Sequence, residues 1–261
     1  MSIPKIIHLC WFGRGDYPPL AELCIQSWKK LLPDYEIKIW NEDTFDVNCC
    51  AYTKAAYEAK RWAFVTDYVR LYALQQYGGV YMDTDLEVLR DFSTLLEGKS
   101  FVGSYIEGGL ISAGFLASVR NHPFVERLMS YYHEESEKLN RGEMIEFIMN
   151  PLIFTEIAME DYGFSLRENE FSHGDIRIYP LEYFMPYKKL TFGSSYGHWR
   201  FRLTDRTYAI HHDMSSWHKR NPIKKFVKDC VRLLLPQKMY LSMKVNKNEA
   251  SIRERKQNSS T

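Results

Sequence analysis

Asp83-Thr84-Asp85 sets two carboxylates two residues apart, directly after the apolar run Val80-Tyr81-Met82. On an extended chain, residues i and i+2 project to the same side, so both carboxylates can face one point just past a strand. Hard oxygen donors of this kind suit Mg²⁺ or Mn²⁺. An ion held by only one or two carboxylates keeps positions that diphosphate oxygens can fill. Alone, such a pair is more often a solvated turn. Here Gly78-Gly79 precedes the apolar run, so the pair falls at the carboxyl end of a buried strand, where open α/β sheets bind ligands. Asp67 and Arg70 lie one helical turn apart on the segment leading into that strand. They can form a plain surface ion pair, or hydrogen-bond sugar hydroxyls with the carboxylate accepting and the guanidinium donating. His211 and His212 offer imidazoles, one of which could serve as a ligand; a core histidine beside a loop histidine is the competing reading.

The elements that must position these groups follow from periodicity. Ile6 to Phe12 reads as a buried strand ended by Gly13, Leu20 to Leu32 as an amphipathic helix stopped by Pro33, and Tyr35 to Trp40 as a second strand. Strand, helix, strand opens an α/β domain. From Tyr52 to Tyr77 apolar residues recur at helical intervals, which predicts one long helix broken by the glycine pair. Phe101 to Tyr105, Leu110 to Val119 and Thr207 to His211 are expected strands. Pro123 to Leu139 and Glu143 to Tyr162 are expected helices, and Arg177 to Tyr187 is expected to be irregular. Glu87 reads as the start of a surface turn, His8 and Trp28 as packing residues, and Cys49-Cys50 receives no functional reading.

With the elements in place, the run from Ala63 through Asp67 and Arg70 to Tyr77-Gly78-Gly79-Val80-Tyr81-Met82-Asp83-Thr84-Asp85 resembles the DXD region of glycosyltransferase family 32. Large clostridial glucosylating toxins carry a similar block. Ile3 to His8, Trp11-Phe12-Gly13, Ser27-Trp28 and Trp40 resemble the family's first third, and Tyr208 to His212 with Ser216-Trp217 resembles its closing motif. The resemblance implies a GT-A fold, with a Rossmann-like mixed sheet flanked by helices, a nucleotide-sugar donor, a divalent metal and transfer with retention. It further implies that Trp11 stacks on the base and that Asp67 and Arg70 hold the donor sugar. Asp83 would meet ribose or sugar hydroxyls, Asp85 and His212 would ligate the metal, and Ser215 and Trp217 would close over the diphosphate. The chain departs from the pattern at Ser112-Ala113-Gly114, where relatives tend to carry Asn before the alanine, and at Asn150-Pro151, where they often have Gly-Pro. Sugar identity is therefore less constrained than reaction class. No carboxylate stands out as a covalent nucleophile, which favours front-face attack by the acceptor hydroxyl.

Composition narrows the field. The residues after Trp217 carry 12 Lys/Arg against 3 Asp/Glu, leaving the preceding body at −8. A basic patch over the body would suggest nucleic acid; an acidic body with a basic tail does not. We therefore expect a catalytic domain over 1–217 and, over 218–261, a basic amphipathic helical tail with a disordered end. Within it, 219–235 alternates Lys/Arg with Ile, Phe, Val and Leu, which suits an anionic membrane surface and a lipid-linked saccharide acceptor; packing on the acidic body is the alternative. Five cysteines without framework spacing, and a start lacking a signal peptide's core, point to a cytoplasmic protein, peripheral at the inner face of the membrane. The expected activity is transfer of a hexose from UDP-galactose or UDP-glucose to a saccharide in surface polysaccharide synthesis. A haloacid-dehalogenase-like phosphatase is the main alternative, but it resembles a pattern with Thr or Val where this chain has Glu87, and with the motif near the start. A non-catalytic carbohydrate-binding relative is the other.

Overall fold

β1 (Ile6–Cys10) carries no charged residue and is buried from Ile7 onward. α1 (Pro19–Leu31) starts on a proline, whose missing N–H costs nothing in a first turn, and buries Leu20, Ala21, Cys24 and Trp28 along one stripe. β2 (Glu36–Trp40) returns parallel to β1. The structure, a computed structural model, describes residues 2–187, 198–213 and 235–259.

The helix expected from Tyr52 to Tyr77 is two: α2 (Ala51–Glu58) and α3 (Trp62–Tyr77). Lys60 takes a left-handed conformation (φ +55) and closes α2 through Lys60 N–H to Tyr57 O, with Arg61 N–H to Ala56 O beside it. The apolar period continues across the break because both helices pack on α5, so periodicity alone conceals it. α3 ends at Gly78, and Gly79 opens β3 (Gly79–Met82) at φ +103. A Cβ on Gly79 would sit 2.5 Å from Ile6 O, so a glycine here lets β3 lie against β1.

Downstream run β4 (Leu86–Val88), α4 (Ser93–Leu96), β5 (Phe101–Tyr105), β6 (Ile111–Ser118), α5 (Pro123–Asn140), α6 (Asn150–Tyr162), β7 (Phe171–His173), β8 (Ile176–Tyr179), β9 (Ala209–His211) and α7 (Gln237–Ser259). Three expectations are corrected. The helix predicted from Glu143 begins at Asn150, because Pro151 is tolerated only in a first turn. The segment Arg177 to Tyr187 is not wholly irregular: it contains most of β8, which Pro180 ends. Glu87 lies on β4, paired antiparallel with β9, rather than in a surface turn.

Seven strands form one mixed sheet in the order β2-β1-β3-β6-β5-β8-β7, and β4 with β9 forms a small second sheet. β6 runs antiparallel to both β3 and β5. Helices flank this Rossmann-like sheet, as the GT-A expectation requires. Alternate residues feed separate cores: Tyr81 and Leu116 pack with Val69, Leu74, Tyr132 and Phe154 on one face, Met82 and Phe115 with Trp28, Phe92 and Phe184 on the other. α7 packs on the body through Lys244–Glu107 (2.6 Å), Arg255–Glu156 (2.7 Å) and Lys256–Glu160 (3.0 Å), with Ile252 buried against Leu110 and Leu166. Acidic side chains of the body thus receive this part of the basic tail; of 219–235 only residue 235 is described.

Candidate active site

The carboxyl ends of β1 and β3 and the amino end of β6 open onto one cleft of about 520 Å³, lined by Trp11, Trp62, Phe64, Asp67, Arg70, Asp83, Asp85, Gly114 and His211 among others. β3 delivers Asp83, whose N–H donates to Gly114 O at 3.0 Å on the neighbouring strand. Tyr81, two residues earlier, donates its hydroxyl proton to Asp83 Oδ1 at 2.6 Å. Arg70 lies beneath, buried, with Nη2 3.0 Å from Asp67 Oδ1, Nη1 3.5 Å from Asp83 Oδ1 and 2.6 Å from Ala113 O, and its guanidinium 4.6 Å above the Tyr81 ring. With the Asn150 amide turned so that its NH₂ faces α3, it donates to Asp67 O (3.2 Å) and Asp67 Oδ1 (3.3 Å), while Tyr132 donates to its carbonyl. Asp67 and Arg70 are therefore a braced, buried pair, not the surface ion pair that spacing alone allows.

β9 brings His211 to the carboxylates, with Nε2 3.0 Å from Asp85 Oδ1 and 3.5 Å from Asp83 Oδ2. One ligand atom from each of Asp83, Asp85 and His211 lies within 4.8 Å of the others. His212, one residue on, turns away: its Nε2 meets Glu87 Oε2 at 2.9 Å, and His198 Nε2 meets the other oxygen of Glu87 at 2.9 Å. The structure thus brings His211, not His212, to the Asp83/Asp85 pair, because adjacent residues of a strand face opposite ways. Trp11 lines the cleft, its indole N–H donating to Gly15 O at 2.5 Å. Ser215 and Trp217 lie outside the described residues.

Burial lifts the Asp67 carboxyl to about 6 despite Arg70. Burial acts in the same direction on Asp83, but Arg70, His211 and Tyr81 outweigh it and hold Asp83 at about 2. Burial disfavours charge on His211, yet the two carboxylates raise it to about 10. On Glu87 the two imidazoles outweigh burial and hold the carboxyl below its ordinary range. Among the described residues, Asp67 and Asp83 thus share Arg70 while Asp85 faces His211, and a proton on His211 only partly balances the three carboxylates. Two hard carboxylates, an imidazole and a surplus of negative charge fit a divalent cation such as Mn²⁺ or Mg²⁺.

Gly114, Tyr81, Asn150 and Glu87 are participants that sequence reasoning missed or undervalued. A Cβ on Gly114 would lie 2.9 Å from Asp83 Oδ2 and 2.9 Å from His211 Cε1, so the site closes over a missing side chain. Ser27 and Trp28 hold the DXD segment from behind: Trp28 Nε1 donates to Leu86 O at 2.6 Å, and Val88 N–H donates to Ser27 Oγ at 2.9 Å.

The sequence profile of the family described as "Glycosyltransferase sugar-binding region containing DXD motif" matches residues 18–102. Inositol phosphoceramide mannosyltransferase 3 of Schizosaccharomyces pombe is 29% identical over 132 residues, covering 48% of this chain and 35% of its own. Mannosyl phosphorylinositol ceramide synthase CSH1 of Saccharomyces cerevisiae is 29% identical over 133 residues, covering 47% and 33%. The chain spans about a third of the length of these curated relatives. Among solved structures it is similar to the PaToxG glycosyltransferase (TM-score 0.48, 20% identity, 62% of this chain and 70% of that one). It is also similar to the galactosyltransferase LgtC in complex with donor and acceptor sugar analogs (TM-score 0.43, 14% identity, 89% and 98%). Over residues 18–102 the chain is thus similar to the DXD-containing sugar-binding region of glycosyltransferases.

Proposed function

We propose that the protein is a metal-dependent, retaining hexosyltransferase of the family 32 type, taking its sugar from a nucleotide-diphosphate donor, UDP-galactose or UDP-glucose first among them. The observation that carries this reading is the convergence of Asp83, Asp85 and His211 at the cleft that Trp11 also lines. Those three side chains would hold Mn²⁺ or Mg²⁺, which when bound stabilises negative charge growing on the leaving diphosphate. Trp11 offers an indole face to the base. Asp83 and the Asp67–Arg70 pair present carboxylate and guanidinium groups to ribose and sugar hydroxyls, and the resemblance of the closing motif assigns Ser215 and Trp217 to the diphosphate. Asp67, Asp83 and Asp85 are each engaged by an arginine or an imidazole, which supports front-face attack by the acceptor hydroxyl over a covalent carboxylate intermediate.

The acceptor in this reading is a lipid-linked saccharide in surface polysaccharide assembly, met at the cytoplasmic membrane face through 219–235. Support comes from the basic and apolar alternation of that segment and from relatives named for transfer to inositol phosphoceramide, itself a lipid. Among the described residues no helix is long and apolar enough to cross a membrane. The mannosyl names of both relatives favour a second reading of the donor. Thermal shift with Mn²⁺ and UDP-glucose, UDP-galactose, UDP-N-acetylglucosamine or GDP-mannose decides between them. Stabilisation by the UDP-hexoses is expected; stabilisation by GDP-mannose alone establishes the mannosyl reading, and a response to none overturns the nucleotide-sugar reading. Mn²⁺-dependent release of nucleoside diphosphate separates a transferase from a phosphatase or an inactive binder.

A further inference from the structure

We infer that Glu87 is a positioning residue for the cation site: by holding His212 and His198 on its two oxygens, it fixes the register of β9 on β4 that presents His211 to Asp83 and Asp85. This rests on the metal-site reading above and extends it to a residue outside the ligand set. β4 is anchored on one side by α1, through Trp28 to Leu86 O and Val88 N–H to Ser27. β9 lies on its other side by a ladder of only three residue pairs, Leu86 with His211, Glu87 with Ile210 and Val88 with Ala209, extended by His212 N–H to Asp85 O at 3.0 Å. Slipping a strand by one residue turns every side chain to the opposite face, and a short two-stranded ladder resists such slippage weakly. In this chain the consequence is specific, because the neighbour of His211 is another histidine able to ligate a metal. A slip of one residue would exchange the two.

The clasp on Glu87 opposes that exchange. His212 is buried, its ring edge-on to Phe201 at 5.5 Å, and its Nε2 is committed to Glu87. The second Glu87 oxygen takes His198, from the short 3-10 turn His198–Arg200, so β4 and two segments more than a hundred residues further along the chain meet on one carboxylate. Outer groups that orient metal ligands typically change metal affinity 10- to 100-fold when removed.

The test is Mn²⁺ affinity of the full chain, read by titration calorimetry, with melting temperature alongside. Glu87→Ala and His212→Ala, which open the clasp from opposite ends, should each weaken Mn²⁺ binding at least ~10-fold below their melting temperatures. Glu87→Gln, which keeps polar atoms facing both imidazoles, should recover most of the loss. His211→Ala and Asp85→Asn should abolish binding. Wild-type affinity in a folded Glu87→Ala or His212→Ala protein overturns the inference. Retained binding in His211→Ala with abolished binding in His212→Ala overturns it too. Absence of Mn²⁺ binding by the wild type overturns the metal site itself, and the inference with it.

Discussion

Gly114→Ala adds one methyl group at the point where β6 passes under the metal site. The new carbon would lie 2.9 Å from both Asp83 Oδ2 and His211 Cε1, whereas unstrained heavy-atom contacts begin near ~3.5 Å, so roughly 0.6 Å must be found on each side. The backbone offers no obstacle, since Gly114 sits in ordinary strand conformation within β6. The side chains do. Asp83 is held by Tyr81 at 2.6 Å with Arg70 behind it, and the His211 backbone is fixed by its N–H to Phe184 O at 3.0 Å. Overpacking of this kind costs about 1–3 kcal/mol of stability. The larger effect falls on function: a misplacement of about 1 Å in a reacting constellation can cost ~100-fold, so a shift near half that size should cost at least ~10-fold. The assay is Mn²⁺-dependent release of nucleoside diphosphate from the donor chosen by the thermal-shift panel, with Mn²⁺ affinity and melting temperature measured on the same protein. Wild-type turnover together with wild-type Mn²⁺ affinity in folded Gly114→Ala would refute the packing argument.

Three further outcomes follow from the buried polar groups. His8 is buried and neutral, with Nε2–H donating to Gly78 O (2.7 Å) and Nδ1 accepting from Trp40 Nε1 (3.2 Å), and burial pushes its pKa down to about 4. The native state therefore refuses a proton that the unfolded chain accepts near 6.5; the resulting stability is complete above that pH and is lost as pH falls towards 4, about 3 kcal/mol in all. His8→Phe should flatten the urea-derived stability curve by that amount between pH 6.5 and 4, and an unchanged slope would contradict the assignment. Arg70→Lys replaces a guanidinium that reaches Asp67, Asp83 and Ala113 O with an ammonium that cannot span them, and should cost about 2 kcal/mol or more in denaturant unfolding. Asn150→Ala leaves both Tyr132 and Asp67 short of a partner and should cost about 2 kcal/mol; a loss under about 0.5 kcal/mol in either variant would show that the network is not under load.

What was legible in the sequence was contiguous. Two carboxylates two residues apart, an apolar strand before them and a glycine pair before that are all within one short stretch, and local geometry carries them to the cleft. Gly79 was readable as a break, although its closer reason, the approach of Ile6 O, needs β1 in place. What was not legible depended on distant partners. Glu87 looked like a turn residue because His198 and His212 lie more than a hundred residues away, and nothing local chooses between His211 and His212 until β9 is laid against β4. Asn150 read as a departure from a family pattern, whereas its amide braces Asp67. Lys60 breaks a helix without glycine or proline, and the apolar period runs on through the break.

The central claim is that Asp85, with Asp83 and His211, holds the cation on which sugar transfer depends. Asp85→Asn keeps the side chain's size and removes its charge, so it tests that claim with the fewest side effects. Glu134→Gln, on the exposed face of α5, serves as the comparison. Mn²⁺-dependent release of nucleoside diphosphate should fall at least ~100-fold in Asp85→Asn at an unchanged melting temperature, while Glu134→Gln matches the wild type. A well-folded Asp85→Asn protein that turns over its donor at near the wild-type rate would contradict the account.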